Sequence, residues 1–247
     1  MKLTIAGCGD AFGSGGRLQT CYHVETAQRA FLIDCGATVM IGLNKLGIDP
    51  NTVSTIFISH LHGDHYAGLV WWMIHAQHVA RRTLPLTVAG PPGIEQRFLT
   101  AAEVLFPGST KVTRKFALTF IELTPGDRAE VDGIAVTPRE VVHPSGAPSL
   151  ALRIETDNKV LAFSGDTEWV ESLLPTAKGA DLFIAECYGY ETTPRNHMSW
   201  KVIREHLDLL AARRVLLVHM NSEMLANQGA VDRKGVILGE DGLSIVV

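Results

Sequence analysis

Five short apolar runs in this chain each end on a side chain able to hold a metal ion or move a proton. Thr55-Ile56-Phe57-Ile58-Ser59 leads into His60, Val141-Val142 into His143, and Leu161-Ala162-Phe163-Ser164-Gly165 into Asp166. Leu182-Phe183-Ile184-Ala185 leads into Glu186, and Val215-Leu216-Leu217-Val218 into His219. Short runs with this apolar, β-branched content read as buried strands. A polar group inside such a strand is costly, whereas a strand mouth can present one to a cavity. If these strands are neighbours with their mouths on one edge, five functional groups converge there on rigid supports.

The remaining patterning fits that picture. Strands are predicted over 1–7, 21–25, 30–34, 52–59, 86–89, 134–142, 149–156, 160–164, 181–186 and 215–219, with one or two more over 112–123. Asp157-Asn158 reads as a hairpin turn. Helices are predicted over 66–82, with Leu69, Trp72, Met73 and Ala76 on one face, and from Gly90-Pro91-Pro92-Gly93 to about Leu105. A third spans 199–213 with Ser199 as its N-cap. The order suggests two mixed sheets packed together with helices outside. No sequence repeat or linker divides the 247 residues, so residues 1–247 are expected to form one domain.

The net charge of -4 and pI of about 6.2 argue against a surface that holds nucleic acid by bulk electrostatics, although a local basic patch is allowed. The opening MKLTIAGCGDAFG reads as a strand rather than a signal peptide, and no apolar stretch reaches the ~20 residues of a membrane helix. A cytoplasmic protein without membrane contact is therefore expected. Cys8, Cys21, Cys35 and Cys187 have no CxxC spacing and read as reduced, buried thiols rather than metal ligands.

The densest chemistry is His60-Leu61-His62-Gly63-Asp64-His65. In an extended turn His60 and His62 point the same way, while the adjacent Asp64 and His65 must diverge and can serve a second ion nearby. Gly63 permits the tight backbone this needs. Imidazole and carboxylate ligands suit Zn first, and accept Mn or Fe.

These residues resemble the signature of the metallo-β-lactamase fold superfamily, with His143, Asp166 and His219 in the order of its later ligands. The resemblance covers nearly the whole chain and implies an αββα four-layer sandwich with the site at one edge of the two sheets. It implies two divalent metal ions: His60, His62 and His143 on one, Asp64, His65 and His219 on the other, Asp166 bridging. Within the superfamily the chain is similar to the ribonuclease Z-type phosphodiesterases. The glycine-rich opening Gly7–Ser14, the Gly90–Gly93 turn, and Glu186 followed by His197-Met198-Ser199 carry that similarity. The tRNA-processing members insert a long arm between the third histidine and the bridging aspartate. Here only 22 residues separate His143 from Asp166, so a small-molecule substrate is expected rather than tRNA. The resemblance also suggests a homodimer, which no feature of the chain demands.

A dinuclear site of this kind implies a metal-bridging hydroxide that attacks phosphorus or a carbonyl carbon, with Asp64 among the catalytic residues. Glu186 and His197 would relay a proton to the leaving group. Two functions stay open: a phosphodiesterase for a small cyclic or nucleotide-like diester, and an acyl hydrolase of a lactone, thioester or β-lactam. In the second, Tyr188 or Tyr190 would donate to the carbonyl oxygen. A non-catalytic metal-bound scaffold fits less well, because every ligand is kept. Trp71 and Trp72 must face different ways, one toward the core and the other free to border the pocket. Gly13–Arg17 offers either a phosphate cradle or a plain turn. His23 is expected to be exposed or structural, His75 and His78 structural or at the pocket mouth, and His206 on a solvated helix face.

Overall fold

A computed structural model describes residues 1–247. The first half runs β1 (Lys2–Gly7), β2 (Cys21–Glu25), β3 (Ala30–Ile33), α1 (Val39–Leu46), β4 (Val53–Phe57), α2 (Gly63–Tyr66), α3 (Gly68–His78), β5 (Leu86–Gly90), α4 (Ile94–Leu105) and β6 (Leu118–Glu122). The second runs β7 (Ala129–Val131), β8 (Ile134–Val141), β9 (Ser149–Thr156), β10 (Lys159–Phe163), α5 (Leu173–Ala177), β11 (Leu182–Glu186), α6 (Trp200–Leu210), β12 (Val215–Val218), α7 (Ser222–Asn227), β13 (Val236–Leu238) and β14 (Ser244–Val246).

Two seven-stranded mixed sheets result, ordered β14-β1-β2-β3-β4-β5-β6 and β13-β12-β11-β10-β9-β8-β7. Period-two side-chain alternation explains why the inner strands β3, β5, β11 and β12 are apolar nearly throughout: each is buried on both faces, whereas the edge strands β6, β7, β13 and β14 are only partly covered. Leu3, Ile5, Phe31 and Phe57 of one sheet meet Leu161, Phe163, Ile184 and Leu216 of the other in the central layer. Leu32 and Ile56 face outward onto α1, α3 and α4, packing with Leu43, Leu69, Trp72 and Phe98. Phe183 and Leu217 face outward onto α5, α6 and α7, packing with Leu173, Ile203 and Met224. This is the αββα sandwich.

The two sheets share one pairing plan. In the first, β14, β1, β2 and β3 are antiparallel neighbours, and β3, β4, β5 and β6 are parallel ones joined through helices. In the second, β7 to β10 are antiparallel and β10 to β13 parallel, again joined through helices. Because these strands are parallel, their carboxyl ends lie along one edge in each half. Ligand sites of open α/β sheets form outside such ends.

The differences from the sequence reading are local. Strand β4 stops at Phe57 because the Ser59 N–H and hydroxyl both leave the sheet to donate to Asp34, at 2.7 and 2.8 Å. Only 118–122 of the 112–123 segment is strand, preceded by a 3-10 turn over Ser109–Lys111. The helix expected from Tyr66 is two, α2 and α3. The hairpin turn at Asp157-Asn158 forms with both residues at positive φ, 51° and 56°. Ser199 caps α6 by accepting from Val202 N. All four cysteines are buried free thiols, and no helix is long and apolar enough to cross a membrane.

Candidate metal centre

The five strand mouths meet at one edge, as their endings suggested, and the loop after β4 joins them. His60, His62 and His143 form one group of potential ligand atoms, and Asp64, His65, Asp166 and His219 a second, each group within 4.8 Å. The turns that deliver them are sharp. His219 adopts φ 57° and Gly165 φ 59°, and a Cβ on Gly165 would lie 2.7 Å from Leu150 O. Positive φ at a non-glycine such as His219 marks stored strain, which concentrates at functional sites.

The second group has the geometry of a metal cage. His65 Nε2 lies 3.2 Å from Asp64 Oδ2 and 3.4 Å from Asp166 Oδ1. His219 Nε2 lies 3.3 Å from Asp64 Oδ2 and 3.4 Å from Asp166 Oδ2. Ligands tetrahedral around an ion at bond lengths of 2.0–2.1 Å sit about 3.3 Å from each other. Asp166 also turns toward the first group, with Oδ2 3.8 Å from His143 Nε2 and 4.0 Å from His60 Nε2. His62 Nδ1 and His143 Nε2 are 2.9 Å apart.

The groups behind these ligands fix their tautomers. His65 Nδ1 donates to Asp34 Oδ2 at 2.7 Å. Ser59 Oγ spends its proton on the same oxygen, so it accepts from His60 Nδ1 at 3.1 Å. His143 Nδ1 donates to Asn196 O at 3.0 Å. Each ring is thereby left with a bare Nε2 facing the cluster, the arrangement that orients metal-bound histidines. His60 Nε2, His65 Nε2 and Asp166 Oδ1 are buried without a hydrogen-bond partner. Buried polar atoms are almost always satisfied, so three orphans distributed over the two ligand groups fit bound cations. The donor set therefore supports divalent metal binding.

Electrostatics agree. Burial pushes His60 well below the ordinary histidine range, and the His65 charge adds to the shift. Burial opposes charge on His65 as well, but Asp166, Asp64 and Asp34 outweigh it and raise it. Burial works to raise Asp166, yet His219 and His65 hold it well below the carboxylate range. His65 and His219 are thus held protonated, against burial, by the carboxylates around them, and a divalent ion binding there would displace those protons and supply the positive charge in their place.

Glu186 and His197 sit beside this cluster. Glu186 Oε2 accepts from His197 Nδ1 at 3.1 Å, and Oε1 accepts the Thr167 N–H. Burial, then Asp166, raises Glu186, while burial lowers His197. His197 lines a cavity of about 190 Å³ with Ala11, Phe12, Tyr188 and the ligands His62, Asp64, His143, Asp166 and His219. A larger cavity of about 420 Å³, lined by Arg213, Arg214, Arg233 and Lys234, lies at the opposite end of β12 and contains none of these groups.

Asp34 is the residue that sequence reading missed. It follows β3 as the others follow their strands, so the ending Phe31-Leu32-Ile33-Asp34 carried the same signal. The structure decides between the alternatives left open at several other residues, and corrects the readings of the tryptophans and His206. Asp10 fills the glycine-rich loop itself, accepting from Phe12 N, Ser14 N and Ser14 Oγ at 3.2, 2.9 and 2.7 Å, so those donors are not free for a phosphate. Arg17 points instead at Cys8 and Met220. Neither tryptophan borders the site: Trp72 is core beneath Arg82, and Trp71 packs on Phe106. Tyr188 lines the cavity and stacks on His197, whereas Tyr190 does not reach it. His23 is buried in β2, so its structural alternative holds. His75 and His78 lie off the cavity on α3. His206 is not on an open face, because its ring stacks on Trp169 at 3.9 Å and its Nδ1 donates to Val202 O.

Comparison with known proteins follows the same lines. A family model described as Anti-Pycsar protein Apyc1 matches residues 1–239. Ribonuclease Z of Mycobacterium bovis (strain BCG / Pasteur 1173P2) is 27% identical over 201 residues, covering 74% of this chain and 69% of that protein. The human tRNase Z short form, ELAC1, has a TM-score of 0.82 at 21% identity, covering 100% of this chain and 99% of that one. The metallo-beta-lactamase fold protein YhfI from Bacillus subtilis has a TM-score of 0.78 at 20% identity, covering 99% of each chain.

Proposed function

Because the chain belongs to the Apyc1 family of anti-Pycsar proteins, and is a ribonuclease Z-like, metal-dependent hydrolase of the metallo-β-lactamase fold, we propose that it is a phosphodiesterase for a small cyclic or nucleotide-like diester. In this reading it holds two divalent ions, with Zn the first expectation. His60, His62 and His143 hold one, Asp64, His65 and His219 the other, and Asp166 both. When bound, such ions supply an activated water and offset charge on the phosphoryl oxygens.

The observation that carries the reading is the Glu186–His197 pair at the edge of the ligand cluster. With Nδ1–H held by Glu186, His197 can give a proton from Nε2 to the leaving oxygen in its imidazolium form, which Asp166 and Asp64 favour against the effect of burial. The Thr167 N–H and the Ser164 hydroxyl, which accepts from Glu186 N at 2.9 Å, fix Glu186 in turn. The small cavity bears on substrate size. Strands β9 and β10 occupy the interval between His143 and Asp166, so no arm extends there, and no lysine or arginine lines the cavity to follow a polyanionic backbone. These features favour a small diester over tRNA.

Metal-loaded protein should cleave bis-(p-nitrophenyl) phosphate and leave a simple lactone and a thioester intact, with activity lost in Asp166→Ala. His197→Ala should slow diesters with an alkyl leaving group by roughly 10²–10⁴-fold, and p-nitrophenyl diesters far less, since p-nitrophenolate departs unprotonated. Cleavage of the acyl substrates alone would overturn the substrate class and leave the metal centre standing.

A further inference from the structure

Besides the ligands and His197, only Ala11, Phe12 and Tyr188 line the catalytic cavity. The non-reacting part of any substrate therefore has few surfaces to meet. Tyr188 has one ring face committed, stacked on His197 at 4.6 Å and 24°. Ala11 is small. Phe12 is a large apolar ring at the cavity wall and is 84% exposed.

The backbone beneath Phe12 is held without any ligand. Asp10, itself 1% exposed, accepts from the Phe12 and Ser14 N–H groups, and Gln19 Nε2 donates to Ala11 O at 3.1 Å. Gly9 N donates to Leu18 O at 2.7 Å, and Gly9 bridges to Met220, the residue after His219. The loop is thus tied directly to the strand mouth that supplies a ligand. An aromatic ring carried on a held backbone beside the reacting centre, and unspent on the protein's own core, is available as a stacking platform.

We propose that Phe12 is the substrate-recognition residue of this site, stacking on an aromatic ring carried by the diester. The inference rests on reading the site as one for a small diester. It assigns the glycine-rich opening loop to recognition of the organic group rather than of phosphate, whose donors Asp10 has already taken. Base–aromatic stacking is tolerant of ring identity, so Phe12 would select for the presence of a ring rather than its pattern of polar groups.

The test compares wild type, Phe12→Ala and Phe12→Trp in metal-loaded protein. The readouts are KM and kcat on bis-(p-nitrophenyl) phosphate and the inhibition constants of phenyl phosphate and inorganic phosphate. Phe12→Ala should raise KM and the phenyl phosphate constant by roughly 10- to 100-fold, change kcat far less, and leave the inorganic phosphate constant nearly in place. Phe12→Trp should restore wild-type values. If both inhibition constants rise together, or neither moves, the proposal is overturned. Should wild type cleave no diester at all, the proposed function fails, while the dissociation constants of phenyl phosphate and inorganic phosphate, measured by calorimetry on the same three proteins, still decide the role of Phe12.

Discussion

Asp34 shows how much of the site depends on one carboxylate that touches no candidate metal position. It accepts three hydrogen bonds: from Ser59 N, from the Ser59 hydroxyl and from His65 Nδ1. Through them it sets the tautomer of His65 directly and of His60 by way of Ser59. In Asp34→Asn the shape is kept, but one side becomes an NH₂ facing groups that must themselves donate. A ring or hydroxyl then has to turn, and one Nε2 loses its lone pair toward the cluster. Metal affinity should fall by 10- to 100-fold, as it does when such supports are removed elsewhere. Chelator competition measures this, and an unchanged affinity would show that Asp34 serves only the fold. The ligands were legible in the sequence because histidines and aspartates are rare at the ends of apolar runs. Asp34 ends its apolar run in the same way, but its role as a support was not legible, because nothing in its segment, far from the His60–His65 motif, says which side chain it meets.

At the scale of elements, legibility followed length and burial. Strands buried on both faces, such as β4, β11 and β12, announced themselves as continuous apolar runs. The three-residue strands β7, β13 and β14 and the short helices α5 and α7 carried no period to read, since each is too brief to complete one. The junction of α2 with α3 was missed for a different reason: a tertiary contact decides it. Gly68 N donates to Cys35 O at 2.9 Å, and a Cβ on Gly68 would stand 2.1 Å from Gly36 O and 2.6 Å from Cys35 O. The helix can therefore lie against the loop that carries Asp34 only if residue 68 has no side chain. Gly68→Ala should cost about 1–3 kcal/mol by overpacking, and lower the melting temperature by roughly 2–4 °C for each kcal/mol in a chain of this size. Calorimetry would show it. A melting temperature equal to wild type would mean that the loop yields freely and that α3 does not hold the site in place.

Over the whole molecule the two halves repeat one pairing plan that no sequence repeat betrays, because a buried strand specifies apolarity and period rather than identity. The same burial shapes the response to pH. His23 in β2 is buried, and neither ring nitrogen has a partner. Burial lowers its pKa; Glu25 works against that shift and Lys2 adds to it. In the unfolded chain His23 titrates near the ordinary value of about 6.5. Above that pH neither state is protonated at this site, so stability is unaffected. As pH falls below it, the unfolded chain takes up a proton that the folded one refuses, and stability is lost until the folded value is reached. Burial places His60, His143 and His197 on the same side, while His65 and His219 are raised and act in the opposite sense. Bound metal would keep the ligand histidines unprotonated and add to the acid sensitivity. Replacing His23 by glutamine removes one refused proton and leaves the metal cluster untouched. Between pH 6.5 and 5.5 the stability of His23→Gln should therefore fall less steeply than that of wild type, by up to about 1.4 kcal/mol per pH unit. Denaturant midpoints taken at the two pH values under equal metal saturation decide the matter, and parallel losses in the two proteins would show that His23 accepts its proton inside the fold.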